Sequence, residues 1–247
     1  MGLSGFAKRS ASVLWIEPHR IKAGSHQRPL EGWPTEDQLA QALSALPQGP
    51  TLWILEDLYA PSVLLRDIVE VPPGAEAQEA FFRWRFNQAM AQEGNFAVQS
   101  LQVDPGVWLL AGLPSETRDA WLALALRLGR PIHGLIPRWL WLYNRLAPAR
   151  EKPGLLLSLG QAGPGRCTGT LAAWGRSLTL LRQWTEPLEL EGWLQERVLP
   201  TTAFLQREGR GAQELLVWGA PKWPEIGAAA GLPTLLIQPE IPEVEAL

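Results

Sequence analysis

The sequence predicts an α/β protein built from two related halves that meet near residue 150. Apolar runs of strand length alternate with segments of helical spacing along the whole chain. Each half opens with a strand–turn–strand pattern, and a charged, proline-containing connector at Pro148–Pro153 separates the two. Such alternation is typical of a sheet covered by helices, so the fold class is α/β.

The first half is predicted to start with a strand pair and a capped helix. The apolar run at 12–16 and the alternating residues at 21–23 indicate two strands joined by a turn. Thr35 then provides an N-cap, because acidic residues follow it in the first turn and leucines and alanines recur at helical spacing. Prolines and a glycine end this helix after Leu46, and the apolar segment at 51–55 indicates the next strand.

The rest of the first half alternates between the two kinds of element. Strands are predicted at 63–71, 96–103, 107–113 and 131–136, and helices at 75–91, 115–128 and 138–146. The tripeptide Asp104-Pro105-Gly106 joins two of the strands, because proline presets φ and glycine tolerates a positive φ. Ser115 is predicted to cap the helix that Gly129 ends. The helix at 75–91 has one stripe that is predicted to pack into the core: Ala77, Phe81, Trp84 and Gln88.

The pattern restarts after the connector. Strands are predicted at 154–159, 167–173, 177–184, 214–218 and 234–237, and helices at 188–198, 201–207 and 224–230. The glycine-rich turn Gly160–Gly165 joins the first two strands. The end of the chain, 238–247, is rich in proline and glutamate and is predicted to be a flexible tail or linker.

Composition excludes several classes of function. The 247 residues carry a formal net charge of −3, which does not favour nucleic acid as a partner. A single cysteine, Cys167, excludes an intramolecular disulfide and a cysteine-cluster zinc site, and three scattered histidines leave little for a metal site. No apolar stretch reaches the roughly 18 to 20 residues that a membrane span needs, so no direct membrane insertion of this chain is expected.

The order of elements resembles a known superfamily. The resemblance rests on the predicted strand 63–71 before Pro72-Pro73, the helix containing Phe81–Gln88, the turn at Asp104–Gly106, and Trp108–Leu113 before Ser115. This order resembles the actin-like ATPase superfamily, and within it the PilM-like type IV pilus assembly proteins and the GspL-like cytoplasmic domains of type II secretion.

The resemblance implies an actin-like (ribonuclease H-like) two-lobed fold with an inserted β-α-β-β-α subdomain. The first lobe would span residues 1–150 and include the insertion at about 61–130, and the second lobe would span 151–237.

The same resemblance implies a nucleotide pocket between two hairpins, and this sequence departs from it at three places. The first hairpin has no glycine around Glu17 and His19, Ser158 stands where the family has an aspartate, and the third element has a single glycine. Phosphate cradles need glycines for close approach of backbone N–H groups, and Mg²⁺ needs a carboxylate. We therefore expect a degenerate pocket without a catalytic residue, metal or cofactor, and Mg·ATP is disfavoured. Its residues would be Glu17, His19, Ser158, Gly160, Gly163, Gly165 and Gly219.

Aromatic and basic residues are candidates for partner binding. The set comprises Arg83, Trp84, Phe86, Trp139 and Trp141. A helix stabilised by a Glu79–Arg83 ion pair with Trp84 in the core is favoured over a nucleic-acid platform, and a peptide groove beside this helix is the functional alternative. The helix at 138–146 is apolar almost all round, so it lies between the halves or contacts a partner.

By resemblance, the chain is a non-catalytic scaffold of a type IV pilus or type II secretion inner-membrane assembly platform, cytoplasmic and peripheral to the inner membrane. It would bind a cytoplasmic segment of a membrane-anchored platform protein in a cleft beside the inserted subdomain. The assembly ATPase and a second copy of the chain are further candidate partners. In the GspL-like case the chain continues into a membrane helix. The alternatives are an active ATP-binding kinase or ATPase of the superfamily and a pseudo-enzyme subunit of a tRNA-modifying complex.

Overall fold

The computed structural model describes residues 11–91, 94–163, 166–187, 194–219 and 231–237. The strands are β1 (Ser12–Glu17), β2 (Arg20–Ala23), β3 (His26–Pro29), β4 (Thr51–Leu55), β5 (Ser62–Leu65), β6 (Phe96–Asp104), β7 (Val107–Pro114), β8 (Ile132–Pro137), β9 (Gly154–Gly163), β10 (Arg166–Trp174), β11 (Leu178–Pro187), β12 (Glu214–Trp218) and β13 (Thr234–Leu236). The helices are α1 (Glu36–Ser44), α2 (Ala75–Met90), α3 (Ser115–Arg127), α4 (Arg138–Leu146) and α5 (Leu199–Arg207). None of the described helices combines the length and apolar character that crossing a membrane requires.

The two large sheets have the same strand order. The first is ordered β3-β2-β1-β4-β8, and the second β11-β10-β9-β12-β13. In both, three antiparallel strands are followed by two strands that run parallel to the central one. The sheets define two lobes of the same topology, which confirms the predicted α/β class and the relatedness of the halves.

A third sheet lies between β4 and β8 in chain order. It has the order β5-β7-β6 and carries α2 and α3, so the segment from Ser62 to Arg127 has the element order β-α-β-β-α. Its own core includes Leu65, Phe82, Phe86 and Leu110. We call this segment the insertion.

Tryptophan fills the space between the two lobes. Trp15 and Trp139 from the first lobe pack in one buried cluster with Trp174 and Trp218 from the second. Trp15 stacks on Trp218 with ring centroids 6.1 Å apart. The helix α4 supplies Trp139 and Leu142 to this cluster, so the interpretation that placed the helix between the halves is confirmed.

Several local predictions are confirmed. Thr35 forms a complete capping box with Gln38 at the start of α1. Gly129 follows α3 with φ +68°, a conformation that glycine adopts without strain. The helix at 138–146 and the strand at 214–218 have the predicted bounds.

Other local predictions are wrong or concern residues outside the described ranges. The strand predicted at 63–71 ends at Leu65, because Asp67 has φ +58° and cannot continue an extended strand. Ser115 does not cap α3 but is its first residue, and its hydroxyl is hydrogen-bonded to Asn95. The strand β3 was not predicted from the sequence. The helix predicted at 188–198 is described only as a π-helical turn at Leu194–Val198, and the helix at 224–230 and the tail at 238–247 lie outside the described residues.

The stripe predicted for the buried face of α2 is also wrong. Phe82 and Phe86 are the buried residues of this helix, and Trp84 is 56% exposed. The helix has aromatic residues on both sides, and the pair spaced four residues apart packs against β6 and β7.

Candidate functional site

A group of buried charges lies where the two lobes meet. Glu56 and Asp57 follow the last residue of β4, and Arg138 is the first residue of α4. Leu55 of β4 pairs with Pro137 of the parallel strand β8, so the chain leaves both strands side by side and brings Arg138 next to the two acids. All three charged side chains are at most 5% exposed.

The second lobe faces these charges with three buried hydroxyl groups. Ser158 lies on β9, and Thr168 and Thr170 lie on β10. Thr170 pairs directly with Ser158, so the hydroxyls lie near one another on adjacent strands. We call the following set the interlobe cluster: Glu56, Asp57, Arg138, Ser158, Thr168 and Thr170.

Arg138 connects the two sides of the interlobe cluster. Its Nη1 forms an ion pair with the Glu56 carboxylate, and its Nε donates a hydrogen bond to Ser158 Oγ at 3.1 Å. Its Nη2 lies 3.8 Å from Asp57 Oδ2. A guanidinium presents its donors in fixed directions, so one side chain contacts an acid of its own lobe and a hydroxyl of the other.

Both carboxylates also accept hydrogen bonds. Asp57 accepts one from the backbone N–H of Trp139 at 2.9 Å and one from Thr170 Oγ1 at 2.7 Å. Glu56 accepts a hydrogen bond from Thr168 Oγ1 at 3.0 Å. These bonds offset part of the free-energy cost of burying two carboxylates, and the two from Thr168 and Thr170 cross the boundary between the lobes.

Burial changes the protonation of the cluster. Loss of hydration raises the pKa of Glu56 to about 7 although Arg138 opposes the shift, and burial likewise raises the pKa of Asp57. The two acids raise the pKa of Arg138, although its burial acts in the opposite direction. The guanidinium therefore stays charged, while Glu56 can take up a proton near neutral pH.

A second candidate site is a groove of about 280 Å³ beside the insertion. It runs between β6, an edge strand of the insertion sheet, and β8, an edge strand of the first large sheet. Ala97 and Val98 of β6 and Leu135 of β8 give it apolar walls, and Arg118 and Leu122 of α3 line it as well. We call it the insertion groove.

Comparison with known proteins identifies the fold. No protein-family model matches the sequence, and no curated protein sequence matches it significantly. A solved structure described as the PilM–PilN type IV pilus biogenesis complex matches over 93% of this chain and 88% of its own, with a TM-score of 0.61 and 15% identity. The fold is actin-like. The cytoplasmic domain of EpsL, an inner-membrane component of the type II secretion system of Vibrio cholerae, matches over 92% of this chain and 84% of its own, with a TM-score of 0.49 and 15% identity.

Two of the residues expected to line a nucleotide pocket, Ser158 and Gly160, lie against charged side chains of the interlobe cluster. Ser158 accepts a hydrogen bond from Arg138. A Cβ atom added to Gly160 would collide with the carboxylate of Glu56 and approach Arg138. Gly160 therefore makes room for the Glu56 carboxylate.

The first hairpin of the expected pocket carries a small ionic group. Glu17 ends β1 and forms an ion pair with Arg20, and its carboxylate lies 3.7 Å from Nε2 of the exposed residue His19. Within the described residues, no group of three or more His, Cys, Asp or Glu side chains is arranged to hold a metal ion.

The remaining glycines of the expected pocket have different surroundings. Gly219 has φ +84°, and an added Cβ would collide with the carbonyl oxygen of Leu159, so the glycine allows the end of β12 to pass close to β9. Gly163 is the last residue of β9. Gly165 lies outside the described residues.

The predicted partner-binding residues do not form one site. Phe86 and Trp139 are completely buried, which corrects the expectation that they contact a partner, because each packs inside the protein. Trp141 is half-buried against Trp15, with ring centroids 5.0 Å apart. Arg83 and Trp84 lie on α2, and Trp84 is the exposed aromatic residue of that helix.

Sequence reasoning missed the charged members of the interlobe cluster. Glu56 and Asp57 follow directly after the apolar segment 51–55, and Arg138 opens an apolar helix. Charged residues at the ends of buried segments could have indicated this cluster, because parallel strands place their carboxyl ends at one edge of a sheet.

Proposed function

We propose that this chain is a non-catalytic scaffold of a type IV pilus or type II secretion inner-membrane assembly platform. It works in the cytoplasm at the periphery of the inner membrane and binds a short cytoplasmic segment of a membrane-anchored platform protein. The fold that it shares with the PilM–PilN structure supports this proposal.

The interlobe cluster is the observation that supports a scaffold without catalytic activity. An ATP site needs N–H donors close to the phosphates and a carboxylate that is free to hold Mg²⁺. Here the Glu56 carboxylate lies against Gly160, and both acids are bonded to Arg138 or to hydroxyl groups. Glu17 adds a further negative charge close by, so a triphosphate would be repelled.

The insertion groove supports the binding part of the proposal. Two of the strands that line it, β6 and β8, are edge strands, and an edge strand offers backbone N–H and C=O groups to an added strand. The apolar side chains of the groove provide contacts for alternate side chains of an extended peptide. At about 280 Å³ the groove accommodates a short segment.

A calorimetric titration with Mg·ATP tests the absence of catalysis. The scaffold is expected to release no heat up to millimolar nucleotide, because the cluster residues would have to separate before phosphates could enter. Saturable heat with one nucleotide per chain would contradict the proposal and favour the active kinase or ATPase.

The groove is tested by two arginine substitutions on the same strand. Ala97→Arg places a long, charged side chain in the groove, whereas Gln102→Arg changes an exposed position of β6 outside it. We expect the wild-type chain and Gln102→Arg to co-purify with a membrane protein of the pilus or secretion platform and to bind a peptide of its cytoplasmic segment, and Ala97→Arg to lose both. Co-purification with soluble nucleotide- or tRNA-modifying enzymes instead would contradict the scaffold role.

A further inference from the structure

The helix α2 presents an apolar stripe to solvent. Phe82 and Phe86 fill the core of the insertion from one side of the helix. Ala77, Ala80 and Trp84 lie on the other side and are exposed, with Trp84 at 56%. Within the described part of the chain, no element covers this stripe, although an exposed tryptophan is costly to leave in water.

The same helix carries opposite charges along one edge. Glu76 lies in its first turn, and Arg83 follows seven residues later, a spacing that returns to the same edge of a helix. Arg83 also forms an ion pair with Glu79 one turn before it. The stripe therefore has an acidic end and a basic end.

We propose that α2 pairs in an antiparallel arrangement with α2 of a second copy of this chain. A two-fold axis beside Ala80 and Phe81 places Ala77 opposite Trp84 of the second copy, because these positions are equally distant from the axis. The small side chain leaves room for the indole. In this arrangement the same edge of both helices meets, so Glu76 of one copy faces Arg83 of the other. The two-fold symmetry forms every contact twice.

This pairing accounts for the residues that packing within one chain does not use. Charge and shape are complementary only in the antiparallel direction, since a parallel pair would place Trp84 against Trp84 and the edge that carries Arg83 against the edge that carries Arg85. One helix pair buries less than the roughly 1,200 Å² of a standard stable interface, so the dimer is reversible and depends on concentration.

Sedimentation equilibrium over micromolar concentrations tests the dimer. Trp84→Ala is expected to weaken association at least about 30-fold, as truncation of a central interface tryptophan does. Leu126→Ala, at a 70% exposed leucine of α3, is the matched control and should associate like the wild type. The proposal is overturned if the wild-type chain stays monomeric throughout, or if the control weakens association as much as Trp84→Ala. A monomeric wild type whose Trp84 binds a helix of another protein overturns it as well.

Charge reversal tests the direction of pairing. Glu76→Arg alone faces arginine with arginine, and Arg83→Glu alone faces glutamate with glutamate, so each variant is expected to be monomeric. A mixture of the two restores both ion pairs and should form a one-to-one heterodimer. A mixture that remains monomeric, while the wild type dimerises, excludes this antiparallel pairing.

Engineered cysteines locate the axis without relying on charge. Ala80→Cys lies beside the axis and should form a disulfide-linked dimer on mild oxidation. In the same pairing, the two copies of Gln88→Cys lie roughly 22 Å apart along the helices at 1.5 Å per residue, so that variant should stay monomeric. Equal cross-linking of both variants overturns the proposed register. Cys167 is buried and does not compete.

Discussion

At the residue scale, the interlobe cluster balances two acids against one base in a space without bulk water. With both carboxylates ionised, its formal charge is −1, and one proton on Glu56 makes it neutral. Burial raises the pKa of Glu56 to about 7, so this proton is exchanged near neutral pH. We therefore expect the stability of the junction between the lobes to depend on pH.

Replacing Glu56 by glutamine should reduce this sensitivity. The folded-state pKa is raised from 4.5 to about 7, so the contribution of this group to stability is fully present below about pH 4.5 and is lost as the pH rises through about 7. In the wild type we expect the free energy of unfolding to fall by on the order of 3 kcal/mol across that window. Urea unfolding at a series of pH values should give a flatter profile for Glu56→Gln. Equal slopes for both proteins would contradict this role.

Ser158→Asp would introduce the carboxylate that the superfamily resemblance leads one to expect. A third buried acid beside Glu56 and Asp57 should cost on the order of 3 to 5 kcal/mol, whereas Ser158→Ala, which only removes the acceptor for Arg138 Nε, should cost about 1 to 3 kcal/mol. Denaturant unfolding of the two variants measures the difference. The aspartate variant could instead be as stable as the alanine variant and bind Mg·ATP. In that case the wild-type pocket would lack only this one carboxylate for nucleotide binding.

The interlobe cluster could be predicted from the sequence only in part. Ser158 and Gly160 were identified because the resemblance assigns their positions to the pocket. Arg138 and Glu56 are 82 residues apart, and only the pairing of β4 with β8 brings them together. The sequence marks Glu56 and Arg138 as charges at the ends of apolar segments, but it does not show which strand ends are neighbours.

At the element scale, α2 shows that one helix can have two apolar sides. The Phe82–Phe86 side packs on the sheet of the insertion, and an added Cβ at Gly112 of β7 would collide with the ring of Phe86. The close approach of helix and strand at this glycine fixes which side faces inward. The Trp84 side is left exposed by the described residues.

Phe86→Ala should therefore loosen α2 from the insertion. Removing a completely buried phenylalanine typically costs about 3 to 5 kcal/mol, and the space beside Gly112 cannot close without moving the helix. Gln88→Ala, on the exposed side of the same helix, should change stability by no more than about 0.5 kcal/mol. Hydrogen exchange of the α2 amides together with urea unfolding measures both effects. Similar stability of the two variants would show that α2 is not held by Phe86.

Most elements were predictable because their signals are local. The capping box at Thr35 and the bounds of α4 depend on neighbouring residues alone. The buried side of α2 was not predictable, because Ala77, Phe81 and Trp84 make a better helical stripe than Phe82 and Phe86 do. The end of β5 was missed because the positive φ at Asp67 leaves no mark in hydropathy.

At the scale of the whole molecule, two lobes of the same topology share one interlobe core. Trp15 and Trp139 of the first lobe and Trp174 and Trp218 of the second belong to this core, and the buried polar cluster adjoins it at Trp139. These four belong to the 13 tryptophans of the chain, so separation of the lobes should change the intrinsic fluorescence, while circular dichroism reports the secondary structure of each lobe.

Arg138→Ala should separate these two signals. In the wild type, the urea transitions followed by fluorescence and by circular dichroism should coincide, because the lobes unfold together. The variant leaves two buried carboxylates of the first lobe without their counter-charge and removes the hydrogen bond to Ser158 of the second lobe. The cost of about 3 to 5 kcal/mol is relieved when the lobes separate and water reaches the two acids. Its fluorescence transition should occur at lower urea than its circular dichroism transition. Arg145→Ala, on the same helix with its guanidinium 4.9 Å from the ring centre of Trp141, should behave like the wild type. Coincident transitions in Arg138→Ala would contradict the coupling.

All three charges of the interlobe cluster belong to the first lobe, and the second lobe contributes only neutral hydroxyls. A backbone cut between the exposed residues Glu151 and Lys152 would therefore give two fragments without separating Arg138 from Glu56 and Asp57. The two fragments would associate through surfaces that are already complementary. Without the peptide bond, their association would depend on the concentration of the fragments, because the covalent link no longer holds the lobes together. The protein is thus suited to split-reporter use, in which reassembly of the two halves signals that their fusion partners have met.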